Sequence, residues 1–144
     1  MLGIVLFIVE IVSVTLFLIC GQTIFSLLGT MIENGGGNPV DMRQQGNVSI
    51  VSFTFTPRNG GLLAARVNLG FGLTLKDGSY STKNTTSVYL PPGVGKTVIL
   101  TIKVPQDKLQ QYSDANGTIN IYTSMYTLND LVRLDYNALA EGGG

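Results

Sequence analysis

Lys96 is the side chain that most invites a chemical reading. It sits in the run PPGVGKT, residues 91–97, which looks like the end of a phosphate-binding loop. Such a loop needs glycine where Leu90 stands, a strand before it and a helix after it, because the helix N-terminus holds the phosphate. The residues after Lys96 alternate as a strand does, through Val104. The run therefore reads as a proline–glycine turn, and no nucleotide is expected there. The remaining inventory is thin. There is no histidine among 144 residues, which removes the commonest general base and neutral metal ligand. Asp41, Asp77, Asp107, Asp114, Asp130, Asp135 and Glu141 are scattered through turns and outward positions without calcium-loop spacing. Hydroxyl side chains are plentiful, but no histidine or placed lysine stands by to activate one. The chain is expected not to be an enzyme and to hold no cofactor and no metal.

Three stretches match the acceptor pattern for N-glycosylation, beginning at Asn47, Asn84 and Asn116. Asn84 and Asn116 fall in expected exposed turns or edges, where a sugar needs its acceptor. Cys20 is the single cysteine, so no intrachain disulfide forms. Nine basic and nine acidic side chains cancel. Every basic one lies from Arg43 onward, which leaves no polybasic membrane patch and no nucleic-acid groove.

What must position these residues is set by the first third of the chain. From Leu2 to Ile32 the sole charged side chain is Glu10. A helix over residues 1–33 would be a rod roughly 48 Å long at 1.5 Å per residue. That exceeds the roughly 20 residues that cross a hydrocarbon core, and in water its surface must be covered by lipid or by copies of itself. Three readings compete: a secretory signal, which lacks its basic n-region and is about twice the usual length; a single-pass anchor, with no positive-inside signal to orient it; and a mature end whose basic leader has been removed. Small residues let helices approach closely in apolar surroundings, and Gly21 and Gly29 lie eight apart with Ser26 and Thr30 nearby. Leu2, Leu6, Glu10, Ser13, Phe17, Gly21, Phe25 and Gly29 are the positions assigned to helix–helix assembly; the competing reading is a tolerant anchor with scattered small residues. A carboxylate at Glu10 is costly in such surroundings unless paired or protonated. Either the α-amine of another copy meets it, or it stays protonated and hydrogen-bonded.

Residues 1–34 thus form a hydrophobic assembly or membrane helix, and residues 35–46 a linker whose Gly35, Gly36 and Gly37 are the expected hinge. Pro39 bars the helix from restarting. Residues 47–144 change period to two. Val51, Phe53 and Phe55 alternate with polar residues, and Arg58-Asn59-Gly60-Gly61 has hairpin chemistry. Ala65, Val67, Leu69, Phe71, Leu73 and Leu75 then share one face of a half-buried strand. Six or seven such strands, with no crossover helix, predict an all-β, immunoglobulin-like antiparallel sandwich behind the long hydrophobic N-terminal α-helix.

This combination of hydrophobic helix, short hinge and β domain resembles an archaeal type IV pilin. The resemblance implies a leader removed by a dedicated peptidase, an assembly machinery, and a helical extracellular filament with helices in its core and β domains outside. It implies many copies of the chain as partners, a membrane before assembly, and a role in adhesion or surface attachment. Bacterial relatives commonly carry glutamate at the fifth mature position; here that residue is Val5, and the acid is Glu10. Within the β domain, FTFTPRN, the long alternating strand, VYLPPGVGKTVILTIKVP and the closing strand resemble the water-stress and hypersensitive-response, late-embryogenesis-abundant-like domain, often found behind a membrane anchor. That similarity carries the alternative, a single-pass surface protein that does not polymerise. A fragment from Asn38 onward is expected to be a soluble β domain that does not polymerise, because the helix carries the assembly surface. The turn at Lys96 yields the first prediction. The wild type and Lys96→Ala should be equally unable to bind ATP in calorimetry; micromolar binding abolished by the substitution would make the turn a phosphate site.

Overall fold

No proline interrupts the apolar run, and α1 (Leu2–Glu33) is a single helix of 32 residues. A computed structural model of the chain describes residues 2–33 and 40–141. The expected hinge glycines Gly35, Gly36 and Gly37 lie outside the described residues. Seven strands follow: β1 (Val40–Gln45), β2 (Val48–Phe55), β3 (Ala65–Leu75), β4 (Ser81–Leu90), β5 (Val98–Pro105), β6 (Gly117–Thr127) and β7 (Val132–Glu141). A short helix α2 (Gln106–Gln111) and a π-helical turn (Tyr112–Asn116) join β5 to β6. All strand pairs are antiparallel, in two sheets ordered β1-β2-β5 and β4-β3-β6-β7.

Alternation dictates which side of each sheet is buried. In β3 the residues Ala65, Val67, Leu69, Phe71, Leu73 and Leu75 are each 1% exposed or less. Val51 and Phe55 of β2, and Leu100, Ile102 and Val104 of β5, join them in one core. The Phe53 and Phe71 rings, from different sheets, stand 5.4 Å apart.

Three sequence expectations need correction. Arg58-Asn59-Gly60-Gly61 is not a hairpin turn, because β2 and β3 belong to different sheets and the segment carries the chain from one to the other. Its glycines serve a close approach described below. The expected linker, residues 35–46, ends in a strand: β1 pairs with β2 from Val40↔Phe53 to Gln45↔Val48. Its side chains are mostly exposed, so burial left no alternation to read in it. The helix is also not separate from the β domain. Ile24 and Leu27 lie in the core, with Leu28 and Met31 packed against it. A fragment beginning at Asn38 would therefore leave their places in the core open to water, so it is not a complete domain.

The two faces of α1 give a sharp contrast. Leu27 is fully buried, whereas Phe25 is 71% exposed. Leu27→Ala should lower unfolding stability by about 2–5 kcal/mol, and Phe25→Ala should stay within about 0.5 kcal/mol. Denaturation in mild detergent, followed by near-ultraviolet dichroism of the β-domain tyrosines, measures both. Equal effects would place the docked face elsewhere.

Candidate functional site

Helix α1 changes surroundings partway along. Residues 3–18 are exposed on every side, with Ile4, Phe7 and Phe17 at 67%, 62% and 78%. From Cys20, which is 2% exposed and a free thiol, the helix enters the domain. Gly3–Met31 is long and apolar enough to cross a membrane, with mean hydropathy 2.7. Within the protruding half, Leu6, Glu10 and Phe17 all face outward. Ser13 returns its hydroxyl to its own helix, donating to the Val9 carbonyl at 2.8 Å. A Cβ added at Gly21 or Gly29 would meet nothing within 4 Å, so packing among the described residues does not require either glycine. Glu10 makes no ion pair among the described residues.

The docked half is held by hydroxyls at residues 23, 26 and 30, one per turn on the same face. Thr23 is fully buried; its Oγ1 donates to the Ile19 carbonyl at 3.0 Å and accepts from the Leu63 amide at 3.3 Å. Ser26 Oγ accepts from the Gly60 amide at 2.7 Å. Thr30 Oγ1 accepts from the Arg58 amide at 3.1 Å and shares its proton between the carbonyls of Leu27 and Arg58. These bonds satisfy backbone groups of the 56–64 connection that no strand pairs. Ser26 and Thr30 had the look of small residues for a neighbouring helix; they are spent on the chain's own loop.

Asn59 builds the other side of this dock. It is fully buried, and its Nδ2 donates to the carbonyls of Leu63 and Leu90 at 2.7 and 2.8 Å. Its Oδ1 accepts from the Gly61 amide at 3.0 Å. The two glycines matter because the helix lies against them. A Cβ at Gly60 would stand 2.6 Å from Ser26 Oγ, and one at Gly61 would overlap the backbone and side chain of Thr23. Thr23 had no role in the sequence expectations and Asn59 only that of a hairpin-turn residue; hydroxyls at 23, 26 and 30 sharing a face were the available signal.

Elsewhere the domain is polar and shallow. The outer face of the larger sheet carries an open depression of about 590 Å³ lined by Asn68, Lys83, Thr85, Tyr122 and Ser124 among others. Nearby, hydrogen bonds from Arg133 and Ser124 hold the Asp135 carboxyl below its ordinary range. Among the described residues no group of three metal-ligating side chains occurs. Lys96 is exposed and leads into β5, not into a helix. Of the three sugar acceptors, Asn47 and Asn116 are exposed beside turns. Asn84 is exposed too, but its Nδ2, the atom a sugar would take, donates to the Thr101 carbonyl at 3.0 Å.

Overlap with Thr23 backbone cannot be relieved by a side-chain rotation. Gly61→Ala should therefore cost about 1–3 kcal/mol and speed amide exchange in the docked half of α1, read by hydrogen–deuterium exchange. Unchanged protection there would mean that the glycine contact does not hold the helix.

No family model matches the chain, and no curated protein matches it. Among solved structures it is similar to a Bacteroides uniformis beta-glucuronidase, at 13% identity over 72% of this chain with TM-score 0.51. It is also similar to a calcium-binding mutant of Bacteroides uniformis beta-glucuronidase 2, at 14% identity over 76% of this chain with TM-score 0.53. The chain spans only 12% and 14% of those proteins' lengths. Similarity at this identity concerns the fold alone: the antiparallel β domain has counterparts among solved proteins.

Proposed function

We propose that the chain is a non-catalytic surface protein whose protruding helix is inserted in a membrane and whose β domain, read as an immunoglobulin-like sandwich, is displayed outside. The observation that carries this is the exposed, apolar half of α1. Residues 3–18 offer water a surface on which Glu10 is the lone charged side chain. A contiguous apolar surface of this extent marks contact with lipid or protein. The resemblance to domains behind a membrane anchor agrees with it.

The resemblance to archaeal type IV pilins supports a second reading, in which the same helices leave the membrane and pack together in a filament core. One observation favours it. The hydroxyl bonds of Thr23, Ser26 and Thr30 join the helix firmly to the domain, and a filament needs such a fixed join more than a tether does. On that reading many copies of the chain, a leader peptidase and an assembly machinery are the partners.

An arginine at mid-helix should cost about 2.5–3.5 kcal/mol of insertion free energy. Val12→Arg should therefore reduce co-flotation with phosphatidylcholine vesicles by about two orders of magnitude, while the native chain floats. Equal flotation of both would show that the protruding half is not inserted. Glu10→Leu separates the two readings. A lone anchor should insert as well or better, because a buried acid is gone; a filament should lose regularity, because groups facing Glu10 lose their partner. Electron microscopy alongside membrane abundance reads both outcomes.

A further inference from the structure

Strand register places three connections at one end of the β domain. Ala65 opens β3 opposite Leu90, the end of β4, and Thr127, the end of β6; Thr127 in turn faces Val132, the start of β7. Phe55 ends β2 opposite Val98, which opens β5. The connections 56–64, 91–97 and 128–131 therefore share this end. The first two are bonded together, Asn59 N–H to the Val94 carbonyl at 2.9 Å, Gly93 N–H to Asn59 at 2.7 Å and Lys96 N–H to Pro57 at 3.0 Å. The helix emerges here as well: Thr23 meets Gly61 and Leu63, and one turn earlier, at Cys20, burial ends.

Each of these connections carries an exposed apolar side chain. Leu62 is 64% exposed, Val94 42% and Leu131 84%. Leu131 is presented by a turn in which Leu128, Asn129 and Asp130 all have positive φ, at 52°, 51° and 70°. A left-handed leucine is costly and persists only where its surroundings hold it; here Arg66 Nη2 grips Asp130 at 2.6 Å. Arg58 and Lys96 stand at the same end, both exposed, and their side chains make no ion pair among the described residues. Tyr89, 66% exposed, is opposite Arg66. Apolar tips, a tyrosine and unpaired cations together are the composition of a membrane–water interface.

Continuity supplies the independent argument. The uncovered half of α1 leaves the domain at this end, where burial stops at Cys20, so these connections are the part of the β domain beside the emerging apolar helix. We infer that the helix-bearing end of the β domain is a membrane-seated collar, in which Leu62, Val94 and Leu131 enter the outer edge of the bilayer and Arg58 and Lys96 meet lipid phosphates. This rests on the membrane-inserted reading and adds that the domain lies against the bilayer instead of standing off it.

The chain contains no tryptophan, so single reporters are available in the full-length protein. Leu62→Trp, Val94→Trp and Leu131→Trp probe the collar, Phe7→Trp the helix, and Gln110→Trp, on exposed α2, the opposite end. Each variant is reconstituted in vesicles of phosphatidylcholine and phosphatidylglycerol with and without brominated lipid. The collar reporters and the Phe7 site should be quenched and blue-shifted, with the Gln110 site unaffected. Replacing both Arg58 and Lys96 with Gln should weaken collar quenching without changing the Phe7 site. Quenching at Phe7 with collar reporters behaving like Gln110 would overturn the collar and leave insertion standing. No quenching at Phe7 would overturn both.

Discussion

One helix has to satisfy two environments at once. From Cys20 onward one face of it packs into the β-domain core, while residues 3–18 have no cover among the described residues. The rest of the structure follows from that division. The smaller sheet has three strands and the larger has four, and the docked half of α1 contributes Ile24 and Leu27 to the core that both sheets share. Burying such side chains stabilises by about 1.5–3 kcal/mol each, an appreciable share of the stability of a domain this size.

A hydrophobic face alone would let the helix slide or roll against the domain. The hydroxyls of Thr23, Ser26 and Thr30 prevent this by bonding amides at Leu63, Gly60 and Arg58. Hydrogen bonds have direction and apolar contacts do not, so the helix receives a defined depth and rotation. Net worth per bond is only about 0.5–1.5 kcal/mol, so the three bonds act through their direction more than through their strength. Asn59 stiffens the receiving loop from within. The direction in which the apolar half leaves the domain is thus a property of the folded chain, and it selects which end of the β domain lies nearest whatever surrounds that half.

The sequence made much of this legible, for physical reasons that differ by element. The rod was plain because no charge but Glu10 interrupts it, and β3 was plain because every second residue is apolar. Loss of such a pattern hid β1: Asp41, Arg43 and Gln45 alternate with residues that are also exposed, and an edge strand with no buried face carries no period. The 58–61 segment misled because Asn-Gly-Gly favours a tight hairpin locally, whereas here the glycines make room for a helix contributed by distant residues. Periodicity describes what one segment wants and is silent on its partner. The docking roles of Thr23 and Asn59 were hidden for the same reason, since a buried polar residue declares itself only when its bonding groups are in place. The assembly positions Leu6, Glu10 and Phe17 are exposed, as either a membrane or a filament requires.

The account turns on the boundary between residues 18 and 19, and a truncation there tests it most directly. A fragment beginning at Ile19 keeps the docked half and its hydroxyls but removes the uncovered half. Light scattering coupled to size-exclusion chromatography, with thermal unfolding on the same samples, should find this fragment a soluble monomer that melts cooperatively without lipid or detergent, whereas the full chain requires one of them. A fragment that aggregates or fails to melt cooperatively, or a full chain that is monomeric in plain buffer, would contradict the division of the helix.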